Sequence, residues 1–235
     1  MFLKYILLFF LVFTNILFSG ETVQDKLVLQ LKWYHQFQFA GYYIAKEKGY
    51  YSEVDLDVAI YPYDPKHDGL ITETVLEGQS NFAIGSSGLL REISDGKKLL
   101  LLNAVFDSSP LILLSKADEK LRVSKDFNHK RIMFGADETH SILLSMILDK
   151  NGVAYSRVPY SFEGFLNDEA DAVVAYIGNE PLVLRQKGMG YNYLDPASNG
   201  FDFYSDFLYT SQDDYYELHN IFTSVHFNSL VVLYL

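Results

Sequence analysis

The sequence predicts an α/β fold of two lobes, each built from a mixed sheet flanked by helices. Two observations favour this fold. Apolar segments with the two-residue period of strands alternate with segments of helical period along most of the chain. The chain also has two places where it can cross between lobes, one at Pro110 ahead of an unbroken apolar run and one in the extended segment at residues 203–210.

The first lobe opens with a strand, a helix and a second strand. Residues 26–31 alternate apolar and polar side chains, and residues 56–60 are again strand-like. Between them, residues 39–48 have a helical period that stops at Gly49. This order of elements implies a parallel crossover. The alternation continues with a helix at 71–76, an extended segment at 81–84, a helix at 89–93 and a strand at 99–105.

The second lobe repeats the pattern. Its predicted elements are strands at 131–134, 154–158 and 172–175 and a helix at 141–149. A last helix is predicted at residues 212–226. We therefore expect the first lobe at residues 21–112 and 204–235 and the second at 113–203. The final residues, SLVVLYL, do not continue the alternation of elements, so we expect a truncated C-terminus.

The first twenty residues predict export. Lys4 precedes an apolar stretch that ends in small residues, a pattern typical of a signal peptide at residues 1–20. The alternative is an uncleaved membrane anchor. Polar Thr14 and Asn15 interrupt the stretch, however, and it barely reaches the roughly 20 residues that a spanning helix needs. We therefore expect a periplasmic protein.

The composition excludes several classes of function. A net charge of -11 disfavours a nucleic-acid partner. The chain has no cysteine, which excludes disulfides, thiolate metal ligands and a lipid-bearing cysteine, so we do not expect a lipoprotein. The 18 tyrosines and 18 phenylalanines indicate either a thick aromatic core or a ligand site built from ring faces.

The segment between the first strand and the first helix is a candidate ligand site. Ligands of doubly wound sheets bind just beyond the carboxyl ends of strands, and this segment offers Trp33, His35, Phe37 and Tyr42 there. Trp33 can stack on a flat ligand or plug the top of the lobe core, and the sequence leaves both open. His35 lies beside aromatic residues, where a histidine is more often a structural hydrogen-bonding residue than a ligand contact.

A second candidate is the turn Gly85-Ser86-Ser87-Gly88, which joins a strand to a helix. Either Ser86 or Ser87 can cap the helix, or the exposed amides there can bind an anionic or carbonyl oxygen. A serine nucleophile elbow would require Gly-x-Ser-x-Gly. The turn does not match that order, so the sequence does not indicate a serine hydrolase.

The second lobe offers two further candidate positions. A strand-to-helix turn supplies Asp137 and Thr139, although Asp137 can merely complement the helix dipole. The strand predicted at residues 172–175 is followed by Tyr176, Asn179 and Glu180, which we expect to face the first lobe across a cleft. The histidines lack metal-binding spacing and the paired acids lack a partner for acid–base work, so we expect no metal, no cofactor and no catalysis.

Five segments of the chain resemble one known family. They read LKWYHQFQFAGYYIAKEKGYYSEVDLDV, FAIGSSGLL, SSPLILLSK, DAVVAYIGNEP and DFYSDFLYTS. They are similar to periplasmic binding proteins related to thiamine-pyrimidine synthase and to the nitrate, taurine and alkanesulfonate binders. The resemblance implies a type II periplasmic-binding fold whose lobes close on a thiamine pyrimidine precursor stacked on an aromatic ring. The positions it supports are Trp33, Ser86, Ser87, Tyr176, Asn179 and Glu180.

Three functions compete on this basis. The sequence favours a solute-binding component that hands a pyrimidine-like or related nitrogenous compound to an ABC permease. The alternative is the ligand-binding sensor domain of a membrane histidine kinase or diguanylate cyclase. A WHQFQF-like sequence, present in the first segment as WYHQFQF, is common in such domains. An enzyme similar to thiamine pyrimidine synthase is the third, and the absence of its cysteine-rich motif disfavours it.

Overall fold

Two five-stranded mixed sheets flanked by helices confirm the predicted α/β architecture. The computed structural model describes residues 25–64, 71–135 and 138–217. The predicted signal peptide and the chain beyond residue 217 lie outside the described residues. In chain order the strands are β1 (Asp25–Gln30), β2 (Leu56–Tyr61), β3 (Phe82–Gly85), β4 (Leu99–Phe106), β5 (Leu111–Lys116), β6 (Arg131–Phe134), β7 (Ser156–Pro159), β8 (Ala172–Tyr176), β9 (Tyr191–Leu194) and β10 (Ser205–Ser211). The helices are α1 (Ala40–Glu47), α2 (Ile71–Leu76), α3 (Leu89–Ser94), α4 (Glu138–Lys150), α5 (Phe162–Leu166), α6 (Glu180–Gln186) and α7 (Gln212–Glu217).

The first sheet has the strand order β2-β1-β3-β10-β4. Strand β1 runs parallel to β2 and β3, which confirms the predicted crossover through α1, whereas β10 is antiparallel to both of its neighbours. Leu27, Leu29 and Leu31 alternate along β1 and pack against Phe39 and Ala45 in one core. Each buried leucine contributes about 1.5–3 kcal/mol, which explains the period of two in this segment.

The second sheet has the order β7-β6-β8-β5-β9. Strand β6 is parallel to β7 and β8, and β5 is antiparallel to β8 and β9. Leu111 and Leu113 of β5 lie in one core cluster, while Ile112 and Leu114 lie in the cluster on the other face. A strand that is buried on both faces needs apolar residues at every position, and this is why β5 shows no alternation in sequence.

Several boundaries differ from the prediction. Helix α4 begins at Glu138, three residues earlier than expected, and β7 begins at Ser156 rather than at residue 154. Strand β9 and helix α5 were not predicted. Strand β9 is four residues long and pairs Leu194 with Leu113 of β5, so its partner rather than its own sequence defines it. Of the helix predicted at residues 212–226, the described part is α7.

The topology brings the two sheets together at one end. The chain passes from the first sheet to the second between β4 and β5 and returns between β9 and β10. The two connecting segments touch, because the Ser108 hydroxyl donates a hydrogen bond of 2.6 Å to Asp202 Oδ1. Within the described ranges, none of the helices is both long and apolar enough to span a bilayer.

Candidate functional site

The edge of the first sheet gathers residues that are far apart in sequence. Gln30 of β1 pairs with Ala83 of β3, and Gly85 of β3 pairs with Phe207 of β10. The parallel strands β1 and β3 therefore end, and the antiparallel β10 begins, at the same edge. Residues 31–39 between β1 and α1, termed the first junction, emerge there beside the Gly85–Gly88 turn. This is the edge at which ligands of doubly wound sheets bind.

The second junction, residues 176–180 between β8 and α6, meets the first junction directly. Asn179 Nδ2 donates hydrogen bonds to Gln36 Oε1 at 3.1 Å and to Gln38 Oε1 at 3.0 Å. Asn179 precedes α6 without capping it through its side chain, so its amide is available to the first junction. The two predicted ligand-binding segments thus face each other, joined by side-chain contacts.

A buried ion pair lies beside these contacts. Lys32 Nζ donates to Asp206 Oδ1 and, at 2.8 Å, to the hydroxyl of Tyr176. That hydroxyl in turn donates to Asp206 Oδ1 at 3.0 Å. We call Lys32, Asp206 and Tyr176 the ion-pair cluster. Asp206 lies in β10 of the first sheet and Lys32 follows β1, whereas Tyr176 ends β8 of the second sheet, so the cluster connects the two sheets.

The protonation states in the ion-pair cluster follow from burial and pairing. Burial alone would lower the pKa of Lys32, but attraction to Asp206 and hydrogen bonds to Asp206 and Tyr176 outweigh it and raise the pKa above its usual value. Burial raises the pKa of the Tyr176 phenol. Lys32 is therefore an ammonium group, and Tyr176 is a neutral phenol that can both accept and donate a hydrogen bond.

Aromatic rings cover the first junction. Trp33 stacks on Tyr63 with ring centroids 6.4 Å apart and planes 6° apart. Trp33 also makes an edge-to-face contact with Tyr160, which follows β7 of the second sheet, with ring centroids 5.9 Å apart and planes at 85°. Trp33 is half-buried and packs against the first core. Trp33 thus packs on the core of the first lobe, as one prediction has it, and also lies between the two sheets, where the other prediction places a ligand-stacking ring.

Glu180 is a buried carboxylate at the start of α6. The backbone N–H of Tyr176 donates to Glu180 Oε2 at 2.9 Å, and the Tyr160 hydroxyl is a further partner. Burial raises the pKa of Glu180, although the hydrogen bonds from Tyr176 and Tyr160 oppose that rise. Glu180 is thus a buried carboxyl group held through Tyr160 next to the Trp33–Tyr160 contact.

Three further candidates are His35 and Phe37 of the first junction and Tyr42 of α1. His35 is exposed, and its Nδ1 is hydrogen-bonded to the hydroxyl of Tyr43, a partly buried residue of α1. Phe37 is 72% exposed. Tyr42 lies in the first core, and its hydroxyl has no hydrogen-bond partner among the described residues. Burial raises the pKa of the Tyr42 phenol, and the nearby charges of Tyr51 and Asp206 raise it further, so Tyr42 approaches the ion-pair cluster from the first core.

One of the two roles predicted for the serine turn, the capping of α3, is not found in the structure. Neither Ser86 nor Ser87 caps α3, whose N-cap is Gly88 without a side-chain bond. The Gly88 N–H donates a hydrogen bond of 3.4 Å to Ser86 Oγ, and Ser87 Oγ is buried without a partner in the described part of the chain. The capping role is wrong because the helix begins at Leu89 and its N-cap position is Gly88, which has no side chain. Gly85 at the start of the turn leaves no space for a side chain, because a Cβ there would lie 2.5 Å from Leu89 Cδ1.

The last candidates in the second lobe are Asp137 and Thr139. Asp137 lies outside the described residues, and Thr139 falls in the first turn of α4. Residues that the sequence did not single out are Lys32, Gln36, Gln38, Tyr160 and Asp206. Lys32 and Tyr160 lie within two residues of the carboxyl ends of β1 and β7, so the rule on carboxyl ends would have found them. Asp206 begins an antiparallel strand, and only the sheet order reveals that it shares their edge.

Comparisons with known proteins agree with this architecture. The sequence profile of a family described as NMT1/THI5 like matches residues 36–223. The chain is 24% identical over 212 residues to the formylaminopyrimidine-binding protein of Halalkalibacterium halodurans, covering 85% of this chain and 62% of that protein. It is 23% identical over 188 residues to the riboflavin-binding protein RibY of Chloroflexus aurantiacus, covering 75% and 52%. The chain thus spans between half and two thirds of these relatives.

A solved structure shares the fold. The periplasmic aliphatic sulphonate binding protein SsuA of Escherichia coli superposes with a TM-score of 0.65 at 14% identity, covering 88% of this chain and 72% of that one. At this identity the likeness establishes the two-lobed periplasmic-binding architecture and leaves the ligand to be argued from the residues described above.

Proposed function

The chain belongs to the NMT1/THI5-like family, and from that premise we propose that it is a non-catalytic, extracytoplasmic solute-binding protein. Its two lobes close around a small, flat nitrogenous compound of the thiamine pyrimidine precursor class. The observation that carries the proposal is the contact of Asn179 with Gln36 and Gln38, because it joins the two predicted ligand-binding junctions from opposite sheets.

The chemistry of the junctions supports a flat heterocycle. Trp33 and Tyr160 offer ring surfaces on which a planar ligand can stack. The side-chain amides of Gln36, Gln38 and Asn179 offer both donors and acceptors, and Glu180 offers a carboxylate for an amino substituent. A pyrimidine carries ring acceptors and amino donors on one plane, which matches this set.

The charge of the site argues against an anionic ligand such as a sulfonate. Lys32, the cation beside the two junctions, is already paired with Asp206. A sulfonate would have to displace that carboxylate or remain unpaired in a buried place, and both alternatives are unfavourable. We therefore separate the ligand of this chain from that of its sulfonate-binding structural neighbour.

The proposed mechanism is closure on the ligand. A ligand that bonds both junctions in place of the Asn179–Gln36 and Asn179–Gln38 contacts has more partners in the shut arrangement than in the open one. Occupancy then shifts the population toward closure. The closed form would be the one recognised by an ABC permease, which we propose as the protein partner. Ser86 and Ser87 at the neighbouring turn are proposed as additional contacts.

A thermal-shift panel tests the proposal. The compounds are thiamine-type aminopyrimidines, riboflavin and short alkanesulfonates, each titrated against the full chain. A ligand at 100 times its dissociation constant should stabilise the fold by about 2.7 kcal/mol. We expect this shift with an aminopyrimidine. Stabilisation by sulfonates alone, or by no member of the panel, would reject the assigned ligand class.

A further inference from the structure

The ion-pair cluster is attached to both lobes by rigid connections. The Tyr176 ring is part of the second sheet's core, together with Leu111 and Leu113, while its hydroxyl reaches Lys32 and Asp206 of the first sheet. A tyrosine has only two side-chain torsions, so the hydroxyl moves with the second sheet. A rotation of the second sheet relative to the first therefore moves the hydroxyl relative to the ion pair.

Asp206 is held in an unfavourable arrangement. Its side chain is buried, and its φ of 54° places a non-glycine residue in the left-handed region inside a strand. One carboxylate oxygen takes hydrogen bonds from Lys32, Tyr176 and Ser205, while Oδ2 has no partner in the described ranges. Such strain persists where the surroundings fix it, and it concentrates at clamps and switches.

The two sets of contacts between the sheets differ in character. The amide contacts of Asn179 are half-buried and neutral, so a polar ligand can replace them at little cost. The ion-pair cluster is charge-assisted, and its Lys32 and Asp206 side chains are only 11% and 1% exposed. A ligand with no cation or carboxylate to substitute has no means of replacing it.

We propose that the Lys32–Asp206 pair is a docking point for the Tyr176 hydroxyl and sets how readily the two lobes close, independently of any ligand. Closure gives the phenol a charged acceptor and a charged donor that it lacks when the lobes part. A hydrogen bond to a charged group shifts an equilibrium by about tenfold or more. The cluster thus fixes the resting ratio of closed to open molecules, on which ligand binding then acts.

Distance measurements on the full chain without added ligand test this inference. Because the sequence has no cysteine, Lys48→Cys and Lys187→Cys give two specific spin-label sites. Both positions are exposed, one after α1 and the other after α6. Pulsed electron paramagnetic resonance then reports the ratio of short to long distances. The test variant is Tyr176→Phe, and the matched control is Tyr193→Phe, an exposed tyrosine of β9.

We expect Tyr176→Phe to lower the ratio of short to long distances about tenfold and Tyr193→Phe to leave it unchanged. An identical distribution in Tyr176→Phe and the parent would overturn the proposal. A second variant, Lys32→Gln with Asp206→Asn, keeps a residue that tolerates positive φ at position 206. It should open the lobes to a similar extent, and a distribution like that of the parent would show that the ion pair has no role.

Discussion

Replacing Lys32 with methionine should destabilise the fold by about 3–5 kcal/mol, because it leaves the Asp206 carboxylate buried without a counter-ion. The side chains of the pair are 11% and 1% exposed, so solvent screens this loss very little. The substitution also removes a donor from the Tyr176 hydroxyl. Against a total stability of about 5–15 kcal/mol, the deficit is a large fraction.

Urea unfolding of the full chain, followed by circular dichroism, measures the effect. The midpoint should fall by about 1 M or more, given a slope of about 3 kcal/mol per molar. Lys26→Met is the matched control, since Lys26 is an exposed residue of β1, the strand that precedes Lys32, and it should change stability by less than about 0.5 kcal/mol.

The double variant Lys32→Met with Asp206→Asn completes a cycle. It removes the uncompensated charge and should recover a large part of the lost stability, since neutral replacements of a buried pair are often well tolerated. The reasoning is refuted if Lys32→Met costs no more than Lys26→Met. It is equally refuted if Asp206→Asn recovers nothing in the Lys32→Met background.

Three further predictions follow from other contacts. Trp33→Ala should weaken binding of the aminopyrimidine by roughly 1–3 kcal/mol in calorimetric titration, and an unchanged affinity with lower stability would assign Trp33 to the core alone. Tyr42→Phe should be neutral or stabilising by up to about 1–3 kcal/mol in urea unfolding, because the hydroxyl it removes is buried without a partner among the described residues; a loss of stability would contradict this. Burial raises the pKa of Glu180 in the folded protein, so its contribution to stability is complete at pH values below the pKa of this group in the unfolded chain. The contribution is lost as pH rises through the pKa of the folded state. Glu180→Gln lacks this decline, so its stability relative to the parent should improve between pH 4 and pH 8, and a constant difference would argue against it.

Local pattern was sufficient to predict much of the fold. The alternation along β1 and the helical period of α1 are properties of neighbouring residues, because strand and helix geometry decide which side chains share a face. The unbroken apolar run of β5 likewise predicted a buried strand. Strand β9 was not, since four residues acquire strand conformation from the antiparallel partner against which they lie.

The candidate site divides in the same way. The sequence by itself indicated Trp33 and Asn179, because each lies between a strand and a helix, where open backbone and ligands meet. It could not indicate Asp206, which is 174 residues from Lys32 along the chain. Only the order of strands in the first sheet puts the start of β10 at the same end of the sheet as the end of β1, with β3 between them. Only the approach of the second sheet then brings Tyr176 to that pair, because hydrogen bonds depend on distances in space that spacing along the chain does not contain.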